Sequence, residues 1–125
     1  MTTVLIIDDD SALRSMLTRM LERLGYRVHS AESVESGLTH LEQHREIALV
    51  ITDIVMPGRT GVEGVVEIHK RYPQLPVLAM SGGSRTLSKT FSLDSAKMAG
   101  ANAILPKPFT QDELTRALAG LGIAA

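Results

Sequence analysis

The chain has 125 residues, 44% hydrophobic and 22% charged, with a net charge of −1, as expected of one folded domain rather than a disordered chain. Near-neutral charge argues against a nucleic-acid partner, and the absence of cysteine excludes disulfides, thiolate catalysis and Cys-based zinc sites. The sequence shows neither a secretory leader nor an apolar run of about 18 residues that could span a bilayer, so a soluble cytoplasmic protein without membrane contact is expected.

The first predicted strand is Val4–Ile7, "VLII", aliphatic throughout and so suited to burial on both faces. Asp8, Asp9 and Asp10 follow it. Asp10 stands beside the start of a helix, where negative charge suits the helix N-terminus, and is expected to be structural. Leu13, Met16, Leu17, Met20, Leu21 and Leu24 then recur at helical spacing, with Ser11 and Gly25 as caps and the methionines as core filler.

Tyr26–Ser30 forms the second strand, and Val34, Leu38 and Leu41 mark a second helix. The third strand, Ala48–Thr52, leads into "DIVMPG". Val62, Val65, Val66 and His69 give a third helix, which Tyr72-Pro73 ends. After the fourth strand, Val77–Met80, Ser81 begins a Gly/Ser-rich stretch. Leu87, Phe91 and Met98 suggest a fourth helix there, although Ser88, Thr90, Ser92 and Ser95 favour helix poorly. A fifth strand, Ala103–Leu105, runs into Pro106-Lys107-Pro108, and Leu114, Leu118 and Leu121 close the chain with a helix. His29, His40, His44 and His69 show no metal-ligand pairing and are expected at surface or boundary positions.

Strand and helix alternate along the whole chain, which implies parallel strands, right-handed crossovers and helices on both faces. A single doubly wound α/β domain over residues 1–125, without a further effector domain, is the expectation. Such sheets bind ligands outside the carboxyl ends of their strands. There the chain collects Asp8 and Asp9, then Asp53, Ser81 and Lys107; the second strand adds only Ser30, Ala31 and Glu32, as an outer strand would.

That collection has a chemistry. Carboxylates with waters can hold Mg²⁺, which prefers few protein ligands, and a carboxylate can attack phosphorus. Lys107 and Ser81, helped by the backbone N–H groups of Gly82 and Gly83, would bind phosphoryl oxygens. Flanking prolines restrict the backbone that aims Lys107.

Asp8-Asp9, "D-x-x-M-P-G" at Asp53, Ser81 and the "K-P-F" of Lys107 together resemble the receiver domain of two-component response regulators. The resemblance implies the flavodoxin-like five-stranded order 2-1-3-4-5. It makes Asp53 the phosphoacceptor, with Lys107 and Ser81 assisting and Gly82 at the phosphate. It also implies Mg²⁺ held by Asp9, Asp53 and the carbonyl of Val55, with Asp8 acting largely through water. The phosphate donor would be a phosphohistidine on a sensor kinase or phosphotransfer protein, and the output a protein–protein contact by a stand-alone regulator rather than enzymatic turnover.

This chain departs from the family pattern at the switch. The position three residues before the lysine, often aromatic, is Ile104, and "SGGSRTLSKTFS" lengthens the stretch after Ser81. Ordering of that stretch would then replace an aromatic swing as the response to phosphate.

A phosphohydrolase of the haloacid dehalogenase type is the enzyme alternative, using Asp8-x-Asp10. It needs a further acidic pair after another apolar strand, finds only Asp112-Glu113 inside a helix, and leaves Asp53 without a role. A flavin-binding module would place its phosphate against the acids after strand one, which repel it.

Overall fold

The aliphatic runs form five strands: β1 (Thr3–Ile7), β2 (Arg27–Ala31), β3 (Ile47–Asp53), β4 (Val77–Ser81) and β5 (Ala103–Pro106). They pair in the order β2-β1-β3-β4-β5, every pair parallel. The described helices are α1 (Ser11–Arg23), α2 (Val34–Gln43), α3 (Gly61–Arg71) and α4 (Gln111–Gly120). The computed structural model describes residues 1–54, 61–81 and 100–125. The expected helix through Leu87, Phe91 and Met98 lies outside them, as do Val55, Gly82 and Gly83.

Alternation along β1 divides the core in two. Val4 and Ile6 pack with Leu17 and Leu21 of α1 and Leu114 and Leu118 of α4. Leu5 and Ile7 pack with Leu38 and Leu41 of α2 and Val65 and Ile68 of α3. Val4 through Ile7 are all fully buried, each worth roughly 1.5–3 kcal/mol of hydrophobic stabilisation. Helix α2 approaches β1 closely at Gly37, where a Cβ would come within 2.8 Å of Ile7 Cγ1; only glycine fits without displacing that core side chain.

Several expectations need correction. The N-cap of α1 is Asp10, whose carboxylate accepts from the N–H groups of Ala12 and Leu13 at 3.0 and 3.2 Å. Ser11 is the first helical residue instead. Such a cap stabilises by about 1 kcal/mol. The residue after the Leu24 C-cap, Gly25, takes φ +96°, as expected of a helix stop. Met16 and Val66 are 42% and 47% exposed, because the buried stripes run through Leu17 and Leu21 on α1 and through Val65 and Ile68 on α3. Asp53 and Ser81 are the last residues of β3 and β4 rather than the first of the following loops. Tyr26 precedes β2, and its hydroxyl donates to the carbonyl of Ile123 at 2.7 Å, tying the chain's end to its start.

Candidate phosphoacceptor site

The strands end against one another, and that fixes the site. Beyond the strand ladders, the Asp8 N–H donates to the Ala31 carbonyl (3.1 Å), the Ile54 N–H to Met80 (3.1 Å) and the Lys107 N–H to Ser81 (2.8 Å). In register, Asp53 stands beside Met80, and Ser81 beside Pro106. The side chains of Asp8, Asp53, Ser81 and Lys107 therefore start from backbone that is already hydrogen-bonded, and little entropy remains to be lost in aiming them. The Lys107–Pro108 peptide bond is cis.

Carboxylate oxygens of Asp8, Asp9 and Asp53 lie within 4.8 Å of one another. Asp8 and Asp53 are 0% and 4% exposed, whereas Asp9 is open to solvent. Lys107 reaches over both buried acids, its Nζ 2.9 Å from Asp53 Oδ2 and 3.5 Å from Asp8 Oδ2. Asp8 is held further through Oδ1, which accepts from the Asp10 N–H at 2.9 Å, and through its carbonyl, which accepts from Arg14 Nη1 at 2.6 Å. Ser81 is fully buried, and its Oγ has no hydrogen-bond partner among the described residues. A buried hydroxyl left this way is a donor available to an incoming oxygen.

Electrostatics here are unbalanced. Burial above all pushes the Asp8 carboxyl up, and the charge of Asp53 adds to it, against the lowering effects of the Asp10 N–H and Lys107. For Lys107 burial works downward, but the hydrogen bond and charge of Asp53, with Asp8 behind them, outweigh it and hold the ammonium above its ordinary range. Among the described residues Lys107 is the cation paired with these two buried carboxylates, and the desolvation of each costs several kcal/mol. A hard, oxygen-preferring divalent cation fits this donor set. Asp8, Asp9 and Asp53 are the side chains that would hold it.

The structure thus brings Asp8, Asp9, Asp53, Ser81 and Lys107 to one sheet edge. Ile104 sits half-buried on β5, opposite Ala79, against the small Ile54–Ala79 cluster. An aliphatic residue fills the position expected to carry the switch.

One expectation holds only in part. His29, His40 and His44 are boundary residues, each partly buried, but they are not scattered: their rings meet, with centroids 4.3 Å apart for His29–His44, 5.7 Å for His29–His40 and 6.0 Å for His40–His44. The i, i+4 spacing of His40 and His44 was a visible metal-ligand pattern. What the sequence alone hid was the packing of α2 against His29 of β2.

A family model, the response regulator receiver domain, matches residues 4–119. The chain belongs to this family. It is the receiving module of two-component signalling, a phosphoacceptor rather than an enzyme in the ordinary sense. The KDP operon transcriptional regulatory protein KdpE of Escherichia coli (strain K12) is 36% identical over 114 residues, which are 91% of this chain and 48% of that protein. The DNA-binding transcriptional regulator NtrC of Azospirillum brasilense is 36% identical over 112 residues, 90% of this chain and 22% of that protein. This receiver therefore spans about half or less of the length of these curated relatives. A receiver domain from Clostridium thermocellum superposes with a TM-score of 0.86 at 30% identity, covering 96% of this chain and 93% of that one. The chemotaxis protein CheY4 of Vibrio cholerae gives 0.83 at 29% identity, covering 96% and 98%. No helix among the described residues is long and apolar enough to cross a membrane.

Proposed function

We propose that this receiver accepts a phosphoryl group onto Asp53 from a phosphohistidine of a sensor histidine kinase or histidine phosphotransfer protein. The observation that carries the reading is the 2.9 Å approach of Lys107 to Asp53 beside two further carboxylates. A carboxylate oxygen of Asp53 attacks phosphorus, the new P–O bond forms, and the P–N bond to the donor imidazole breaks, leaving an aspartyl phosphate. The Lys107 ammonium moves from the carboxylate to a phosphoryl oxygen, and the buried Ser81 hydroxyl donates to another, with the Gly82 N–H assisting. Asp8, Asp9, Asp53 and the Val55 carbonyl would hold Mg²⁺, which when bound would supply positive charge against the transferring group.

Output is a phosphorylation-dependent contact with a downstream protein, with Ser81 and Ile104 at the switch, in the cytoplasm; slow autodephosphorylation resets it. The names of the relatives refer to DNA binding and transcription, but those proteins extend far beyond the matched region, so no nucleic-acid partner is assigned here. Loading with a small-molecule phosphodonor and Mg²⁺ tests the reading: Asp53→Asn should abolish labelling while the fold survives.

A further inference from the structure

Away from the acidic pocket, a second group of ligand-bearing side chains converges where edge strand β2 meets α2. His29 stands beside Leu5 in register, and Leu5 belongs to the core half covered by α2. His40 lies in the last turn of α2 and His44 is its C-cap, so the two share one helix face four residues apart. Ring nitrogens of all three, each partly buried, lie no more than 4.8 Å from one another.

Zinc bound tetrahedrally by imidazoles at its usual bond length holds their nitrogens about 3.4 Å apart. Small side-chain rotations cover that difference. Two details go beyond mere proximity. His40 Nδ1 is buried with no hydrogen-bond partner among the described residues, a cost that stacking does not offset and a metal ion would remove. His44 Nδ1 lies 3.5 Å from Glu46 Oε2, and a histidine whose Nδ1 is turned to a carboxylate is oriented to coordinate through Nε2.

We propose that His29, His40 and His44 form a three-histidine site for a divalent transition-metal ion of the zinc class, linking edge strand β2 to helix α2. Three protein ligands leave a fourth position to water. Imidazole selects such ions, whereas carboxylate and water suit Mg²⁺, so the two sites of this chain take different metals. The metal would staple the outer strand whose Ala31 carbonyl accepts the Asp8 N–H. It would stabilise the native state through mass action.

The test is calorimetric titration of the untagged chain with Zn²⁺ in buffer containing excess Mg²⁺. One Zn²⁺ per chain should bind with micromolar or tighter affinity, and long-range ¹⁵N–¹H spectra should show the rings of His29, His40 and His44 shifting while His69 does not. His29→Ala and His40→Ala should each weaken binding by at least about 100-fold; His69→Ala and Asp53→Asn should leave it unchanged. Circular dichroism of each metal-free variant checks folding, and His44→Gln substitutes for any that fails. Absence of stoichiometric binding, unchanged affinity in the histidine variants, or loss of binding in Asp53→Asn would each overturn the proposal, the last by placing the ion in the acidic pocket.

Discussion

Lys107 Nζ sits 2.9 Å from Oδ2 of Asp53, a lysine after the last strand closing on an acid at the end of the central one. With Asp8 also in reach, the Lys107 ammonium faces two buried carboxylates. Removing one partner of a buried pair typically costs about 3–5 kcal/mol, because the remaining charge is left uncompensated. Lys107→Met in metal-free buffer should lose stability on that scale in denaturant unfolding. Adding Asp53→Ala to it should restore part of the loss; strict additivity of the two changes would show that the groups do not interact.

Divalent cations should act in the opposite direction. Three acids lie within 4.8 Å of one another, and a ligand that binds only the native state stabilises it, by about 2.7 kcal/mol at a hundredfold excess over Kd. Millimolar Mg²⁺ should raise the melting temperature. Asp53→Ala should raise it in chelated buffer and blunt the response to Mg²⁺. Melting curves indifferent to both changes would separate the three acids into unrelated groups.

Tyr26 offers a pH test remote from the acids. Burial pushes its phenol above the ordinary value of 10.0, and the neutral hydroxyl donates to Ile123. With the folded pKa above the unfolded one, the folded state holds more protons in the interval between them. The stability tied to the neutral phenol is therefore complete below pH 10 and lost as pH rises through the folded pKa. Tyr26→Phe should cost about 1 kcal/mol at neutral pH and flatten the alkaline limb of stability against pH. An equally steep limb in the variant would assign that loss to other groups.

The phosphorylated state should be long-lived. The resemblance to receivers implies that side chains two residues beyond the phosphoacceptor and two beyond the hydroxyl flank the path of the attacking water. Here they are Val55, which cannot hydrogen-bond through its side chain, and Gly83, which has none. Each orienting contact restored could speed hydrolysis by ~10-fold. Val55→Asn with Gly83→Glu should accelerate phosphate loss at fixed Mg²⁺, and equal decay rates would place control of that water elsewhere.

Much of this was legible because it depends on local pattern. Aliphatic runs gave the strands, and the residues just after them named Asp8, Asp9, Asp53, Ser81 and Lys107. Caps are less legible: Asp10 outcompetes Ser11 on α1, and Thr110 and Glu113 of "TQDE" form a full capping box on α4. Met16 and Val66 lie off the buried stripes because spacing defines a stripe only to within one residue on either side. The histidine cluster escaped for a different reason. His29 is 11 positions before His40 (40 − 29) and on another element, so only tertiary packing brings them together.

Mapping the modified residue by mass spectrometry, after incubation with a small-molecule phosphodonor and Mg²⁺, tests the central claim most directly. A single phosphoryl group on Asp53, absent from Asp53→Asn, is the result predicted. Modification of Asp8, or undiminished labelling of the folded Asp53→Asn protein, would contradict it.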